Sequence, residues 1–155
     1  MSAPGPRTLF RLAAGAEMVT WALLLAAMAL KYSGTTDALM AAAGGVHGFV
    51  FLCYALITVA VWIDGRWSAG RGLAGLASSV VPFMTVPFER SAARRGEPAE
   101  SWRAPARAEH ERTAPERLVV AVLRHPLVSA LAAVVLVALV FTLLLNAGPP
   151  TEWGR

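Results

Sequence analysis

Ala38–Ile63 is a stretch of 26 residues without a single Asp, Glu, Lys or Arg, and nothing else in this chain constrains its fold as strongly. A helix needs roughly 20 apolar residues, rising 1.5 Å each, to cross the hydrocarbon core of a bilayer. Leu12–Leu30 adds 19 residues with one charge, Glu17, and Leu127–Leu145 adds 19 with none. Gly72–Phe88 is a fourth uncharged run of 17. The chain is 56% hydrophobic and 15% charged, against roughly 45–50% and 25% for a soluble domain. None of the runs alternates as a barrel strand would. Buried backbone groups in lipid must be satisfied within the segment, so the runs predict α-helices. The expected fold class is all-α, a polytopic membrane helix bundle.

The first run has a basic flank, Arg7 and Arg11, and Ala27-Met28-Ala29 looks like a signal-peptide cleavage site. The run is long for a signal sequence and Glu17 interrupts it, so it reads as a retained span. It ends at Lys31 and Tyr32, a snorkelling cation and an interfacial aromatic. "SGTTD" (33–37) is a tight turn, with Thr36 or Asp37 as N-cap of a second span. Spans one and two therefore form an antiparallel hairpin. Asp64-Gly65-Arg66-Trp67 follows as a loop turning at Gly65. Trp62, Trp67 and Trp153 sit near span ends as interfacial anchors, with Arg71 also at the interface. Cys53 is the sole cysteine, so no intramolecular disulfide can form.

The third run carries Pro82 and Pro87, which remove backbone donors and kink a helix. It spans, lies at the interface, or enters and returns. Residues 89–117 hold seven Arg, six Asp or Glu, seven Ala and three Pro, the composition of a solvated, flexible spacer. "TAPE" (113–116) is a capping box that starts a short interfacial helix. These features divide the chain into a three-helix membrane domain (1–90), a flexible linker (91–115), an interfacial turn with a last transmembrane helix (116–147), and a tail (148–155).

Charge placement bears on orientation. If all four runs cross, five basic residues share the N-terminal side and nine the other. If the third run does not cross, twelve lie on the N-terminal side and two, Lys31 and Arg155, opposite. Twelve to two is the sharper positive-inside split.

Phe10-Arg11, Glu17, Lys31-Tyr32, His47-Gly48, Tyr54, Trp67, Pro82-Phe83 and Phe88-Glu89 occur in an order and spacing that resembles the bacterial integral membrane proteins of domain of unknown function 3817. The resemblance covers about residues 8–90. It implies a compact three-helix membrane domain with no assigned activity and no established cofactor. The arginine-rich segment and the last hydrophobic helix extend beyond it.

Glu17 is the residue most in need of an explanation. A carboxylate deep in a span costs at least about 2.5–3.5 kcal/mol unless it is paired or neutral. From the connecting turn, Glu17 lies about 22 Å along helix one and His47 about 16 Å along helix two. The difference of about 6 Å is within reach of two side chains. Ala13, Glu17, Thr20, Trp21 and Leu24 share one stripe, and Gly44, His47, Gly48, Phe51 and Tyr54 share the other. Gly44 and Gly48 form a small-xxx-small pair suited to close helix approach. The expected site is therefore an intramembrane Glu17–His47 pair, with Trp21, Gly44, Gly48 and Tyr54 in the helix interface. The pair either fixes helix register as a hydrogen-bonded contact or handles a proton or ligand.

No catalytic residue, metal or cofactor is expected. Only His47 among the three histidines is deep, and Cys53 points about 240° away from it around the helix. Ser78, Ser79 and Ser129 lack a base, and Gly70, Gly72 and Gly75 lack the ending of a phosphate-binding loop. The six acids of residues 89–117 nearly cancel its seven arginines, which argues against nucleic acid. The expected partners are the lipid bilayer and another membrane protein or a second copy of this chain. The function class expected is a non-enzymatic accessory or interaction protein of the bacterial plasma membrane, multi-pass. The alternative is an oligomeric proton or small-solute translocator built on Glu17 and His47.

Overall fold

The computed structural model describes residues 4–147; Trp153 and the tail lie outside the described residues. The regular structure of the described residues is all helical: α1 (Pro6–Tyr32), α2 (Met40–Gly65), α3 (Ala69–Ala77), α4 (Thr85–Arg94), a 3-10 turn (Glu109–Glu111), α5 (Ala114–Arg124) and α6 (Pro126–Ala147). Three of these, α1, α2 and α6, are long and apolar enough to cross a membrane. At 1.5 Å per residue they extend about 40, 39 and 33 Å.

Pro6 opens α1, where its missing N–H is no loss. α2 begins later than the sequence suggested. Thr36 Oγ1 instead accepts the Ala38 amide in a local turn, and Leu39 occupies the N-cap. At the far end of α2 the left-handed residue is Arg66 (φ 50°), not Gly65. Gly65 is needed for a different reason: a Cβ there would sit 2.8 Å from the Trp67 indole nitrogen.

α1 and α2 pack as an antiparallel pair. Phe10 stacks on Tyr54 at 5.7 Å between ring centroids, and seven residues further along α1 Glu17 meets His47, seven residues earlier on α2. The core lies at the Phe10 end. Phe10, Ala13, Ala14, Tyr54, Val61, Trp67 and Ala92 are buried together, and the Trp67 and Phe88 rings meet the Phe10 ring edge-on at 5.9 and 6.2 Å. Phe10 has no solvent exposure.

The third apolar run folds back on itself as two short helices. α3 and α4 have 9 and 10 residues, about half of what a crossing requires. α3 starts beside the end of α2 and runs back along it until Gly75 and Ser78 reach Tyr54. The chain reverses at 78–84, where Phe83 takes φ 64°. α4 then returns along α1, from the Thr85 hydroxyl on the Ala14 carbonyl (3.0 Å) to Glu89 beside Arg11. Gly72 lets α3 lie against α2, because a Cβ there would fall 2.0 Å from the Trp62 ring.

Residues 95–113 depart furthest from the sequence expectation. They are not a free spacer but a strap across the end of the bundle. Asp64 Oδ1 accepts the amides of Arg103 (2.9 Å) and Ala104 (2.7 Å). The Trp102 indole donates to the Pro4 carbonyl, and Arg7 pairs with Glu100 and donates to the Pro98 carbonyl. Glu116 is buried under Arg66, which it meets in a bidentate pair at 2.8 and 3.0 Å, and under Arg107. Glu116 also completes the capping box with Thr113. Four of the charges that make this segment look solvated, Glu97, Glu100, Arg107 and Arg112, help to fasten it.

Candidate functional site

The polar centre of the bundle lies where α1, α2 and the returning hairpin meet. Glu17 has no exposed surface. His47 Nδ1 is 3.9 Å from Glu17 Oε2 and 3.1 Å from Thr20 Oγ1. The Thr20 hydroxyl lies 3.0 Å from the Glu17 carbonyl, which accepts from it, and its contact with Nδ1 runs in the direction that the imidazole tautomer sets. Neither carboxyl oxygen of Glu17 has a hydrogen-bond partner. A buried carboxylate without donors is costly, and the polar side chains at hand to offset that cost are His47 and Thr20. Among the described residues no third His, Cys, Asp or Glu joins the pair in a metal-sized group.

Trp21 links this pair to the hairpin. Its ring lies 4.5 Å from the His47 ring, and its indole N–H donates to the Ser79 carbonyl at 3.1 Å. Tyr54 reaches the same hairpin one level away, with its hydroxyl 2.9 Å from Ser78 Oγ and 3.2 Å from the Gly75 carbonyl. Together these contacts solve a problem of location. The last carbonyls of a helix have no partner within it, and α3 ends deep in the bundle. Ala74 and Ala77 bond to the following amides, Leu76 to the amide and hydroxyl of Ser79, and Gly75 to Ser78 Oγ and Tyr54.

The remaining expected site residues are distributed differently. Gly48 faces α6, not α1: a Cβ there would lie 3.0 Å from the Phe141 ring. Gly44 has no neighbour within 4 Å of such a Cβ. The α1–α2 contact is made by Ala13 and Ala14 and by larger side chains instead. Lys31 and Tyr32 are exposed at the turn end. Trp67, expected at the interface, is in the core, because Phe10 and Phe88 offer it ring edges and faces. Arg71 is also enclosed. Its guanidinium lies 5.2 Å from the Trp67 ring centre and 5.8 Å from that of Phe88, and its Nε is 2.6 Å from Glu97 Oε2. Asp64, seven residues before Arg71, is taken by the strap amides. Sequence reasoning missed Ser78, Ser79 and Thr85 as polar contacts of the hairpin; the adjacent serines before Pro82 were the only signal.

Residues 7–94, from the first turn of α1 to the end of α4, match the family model described as Domain of unknown function (DUF3817). The chain belongs to this family. The family domain thus contains α1, α2 and the returning hairpin, and with them Glu17, His47, Trp21 and Tyr54. The strap from Arg95 onward, α5 and α6 lie beyond it. A Streptomyces coelicolor protein whose name calls it a putative membrane protein is 44% identical to this chain over 82 residues, which are 52% of this chain and 10% of that relative. This chain therefore matches about a tenth of the relative's length. No solved structure matches the chain.

Proposed function

We propose that this family member is a multi-pass protein of the bacterial plasma membrane that acts without catalysis, as an accessory that binds another membrane protein through α6. The observation that carries this reading is the isolation of α6. Only 6% of its apolar stretch is buried within the chain, and it touches the bundle through Phe141 at Gly45 and Gly48. A span held along one narrow stripe, that of the buried Val137 and of Phe141, leaves the rest of its surface free to pack on a second protein, where association rests on close fit rather than on hydrophobicity. With three crossings, the twelve basic residues on the N-terminal side favour a cytoplasmic N-terminus. The test is photocrosslinking in native membranes from probes at Leu131 and Leu136. A discrete heterologous adduct at either position supports the reading, and adducts with lipid alone at both positions overturn it.

A second reading rests on a different observation. The unpartnered oxygens of Glu17 beside His47 favour proton-linked translocation by an oligomer. Loss of proton flux in liposomes on Glu17→Gln substitution, with the fold intact, would support it. Equal flux from the two forms would exclude it.

A further inference from the structure

Where α5 meets α6, the structure has a groove of about 240 Å³ that neither the family domain nor the proposed function explains. It is lined by Glu109, Arg112, Arg117, Val120, Arg124 and His125. Arg117 and Arg124 are seven residues apart on α5, hence on one face of it.

The arginines of this end of the molecule fall into distinct groups. Arg7, Arg11, Arg66, Arg71 and Arg107 each pair with a carboxylate. Arg112 points its guanidinium at the carbonyls of Ala104, Pro105 and Arg107, which leaves its charge uncancelled. Arg117 and Arg124 are exposed and have no carboxylate within 4 Å among the described residues. Three positive charges therefore face one negative charge, that of Glu109.

Location specifies the ligand. The apolar helix α6 begins at Pro126, one residue past His125, so the groove lies at the water–lipid boundary. Immediately below it Leu127 and Val128 are 85% and 67% exposed, an apolar surface that suits acyl chains. Above it are guanidinium groups whose forked donors match phosphate oxygens. α5 itself is amphipathic, burying Val119 and Val120 and exposing Leu118 and Val122, as a helix lying in the interface does.

We propose that this groove binds the phosphate headgroup of an anionic phospholipid, with Arg117 and Arg124 as its principal contacts and Leu127 and Val128 against the lipid's chains. The site would fix α5 to the membrane surface and set the height at which α6 enters. A basic side chain near an anionic surface is worth about fivefold in affinity, so two give roughly thirtyfold.

The test uses the full chain in nanodiscs of phosphatidylcholine and phosphatidylglycerol at three to one, with retained lipids counted by native mass spectrometry. The expected result is selective retention of phosphatidylglycerol, reduced roughly thirtyfold by the double substitution Arg117→Gln and Arg124→Gln. Arg94→Gln with Arg95→Gln removes the same charge on the same side, away from the groove, and should leave retention unchanged. Glu109→Gln should increase retention, a gain that misfolding cannot mimic. Equal losses in the two double variants would reduce the effect to a diffuse field and overturn the proposal. So would absence of preference in the unaltered chain, or displacement of the lipid by millimolar inorganic phosphate, which would mark a soluble-anion site instead.

Discussion

Asp64 holds residues 95–113 against the bundle, and replacing it should release them. Its Oδ1 accepts the amides of Arg103 at 2.9 Å and Ala104 at 2.7 Å, and Oδ2 shares the first of these at 3.1 Å. A hydrogen bond to a charged acceptor contributes about 1.5–3 kcal/mol net. At the lower figure, Asp64→Ala removes about 3 kcal/mol from the closed state, a change of more than a hundredfold in its opening equilibrium. Asp64→Asn keeps an oxygen acceptor but loses its charge, so about half of that is expected, roughly tenfold. The assay is limited trypsin digestion of the protein in nanodiscs, following cleavage at Arg103. Where opening and closing are fast relative to cleavage, the rate tracks the population of the open form. The expected order of cleavage rates is unaltered chain, then Asp64→Asn, then Asp64→Ala. If all three are cut at Arg103 at the same rate, the segment is a free spacer and the strap does not exist.

Gly72→Leu should drive a side chain into the Trp62 ring, since even a Cβ would lie 2.0 Å from it. A loss of at least about 1–3 kcal/mol is expected, read as a lower Tm in detergent. Trp21→Phe keeps a ring beside His47 but deletes the donor to the Ser79 carbonyl. In a Cys53→Ala background carrying Ser79→Cys, at a buried position, maleimide labelling at 79 should accelerate about fivefold, the equivalent of one hydrogen bond of about 1 kcal/mol. Unchanged labelling would refute the tether. Single cysteines at 66 and 103 should label from the same side of the membrane and one at 35 from the other; opposite labelling of 66 and 103 would require the third run to cross.

The α1–α2 pair and α6 were legible because apolar length alone determines a span. Glu17 and His47 were placed near each other by counting rises from a shared turn, and Nδ1 stands 3.9 Å from Oε2. Facing was harder to read. Gly48 was assigned to α1 by a motif that describes any close approach, and it received Phe141 of α6. Trp67 and Arg71 carry the composition of an interface, yet each found an aromatic neighbour that no local rule announces. The strap was illegible for a related reason. A run of Arg, Glu, Ala and Pro cannot build a core of its own, but Glu100 has its partner 93 residues away and Glu116 has one 50 residues away. Such pairings are properties of the assembled bundle, not of the segment. The returning hairpin fell between these cases: its prolines signalled a break, while the donors that make the break tolerable belong to other helices.

That dependence imposes an order on biogenesis. The Gly75 and Ser79 carbonyls take donors from Tyr54 and Trp21, so the hairpin meets hydrocarbon on good terms only after α1 and α2 have been inserted and paired. A translocon that released residues 72–88 into lipid alone would expose polar backbone with nothing to receive it. The chain emerges in the sequence this requires, with the receiving helices synthesised first and the hairpin delivered to them.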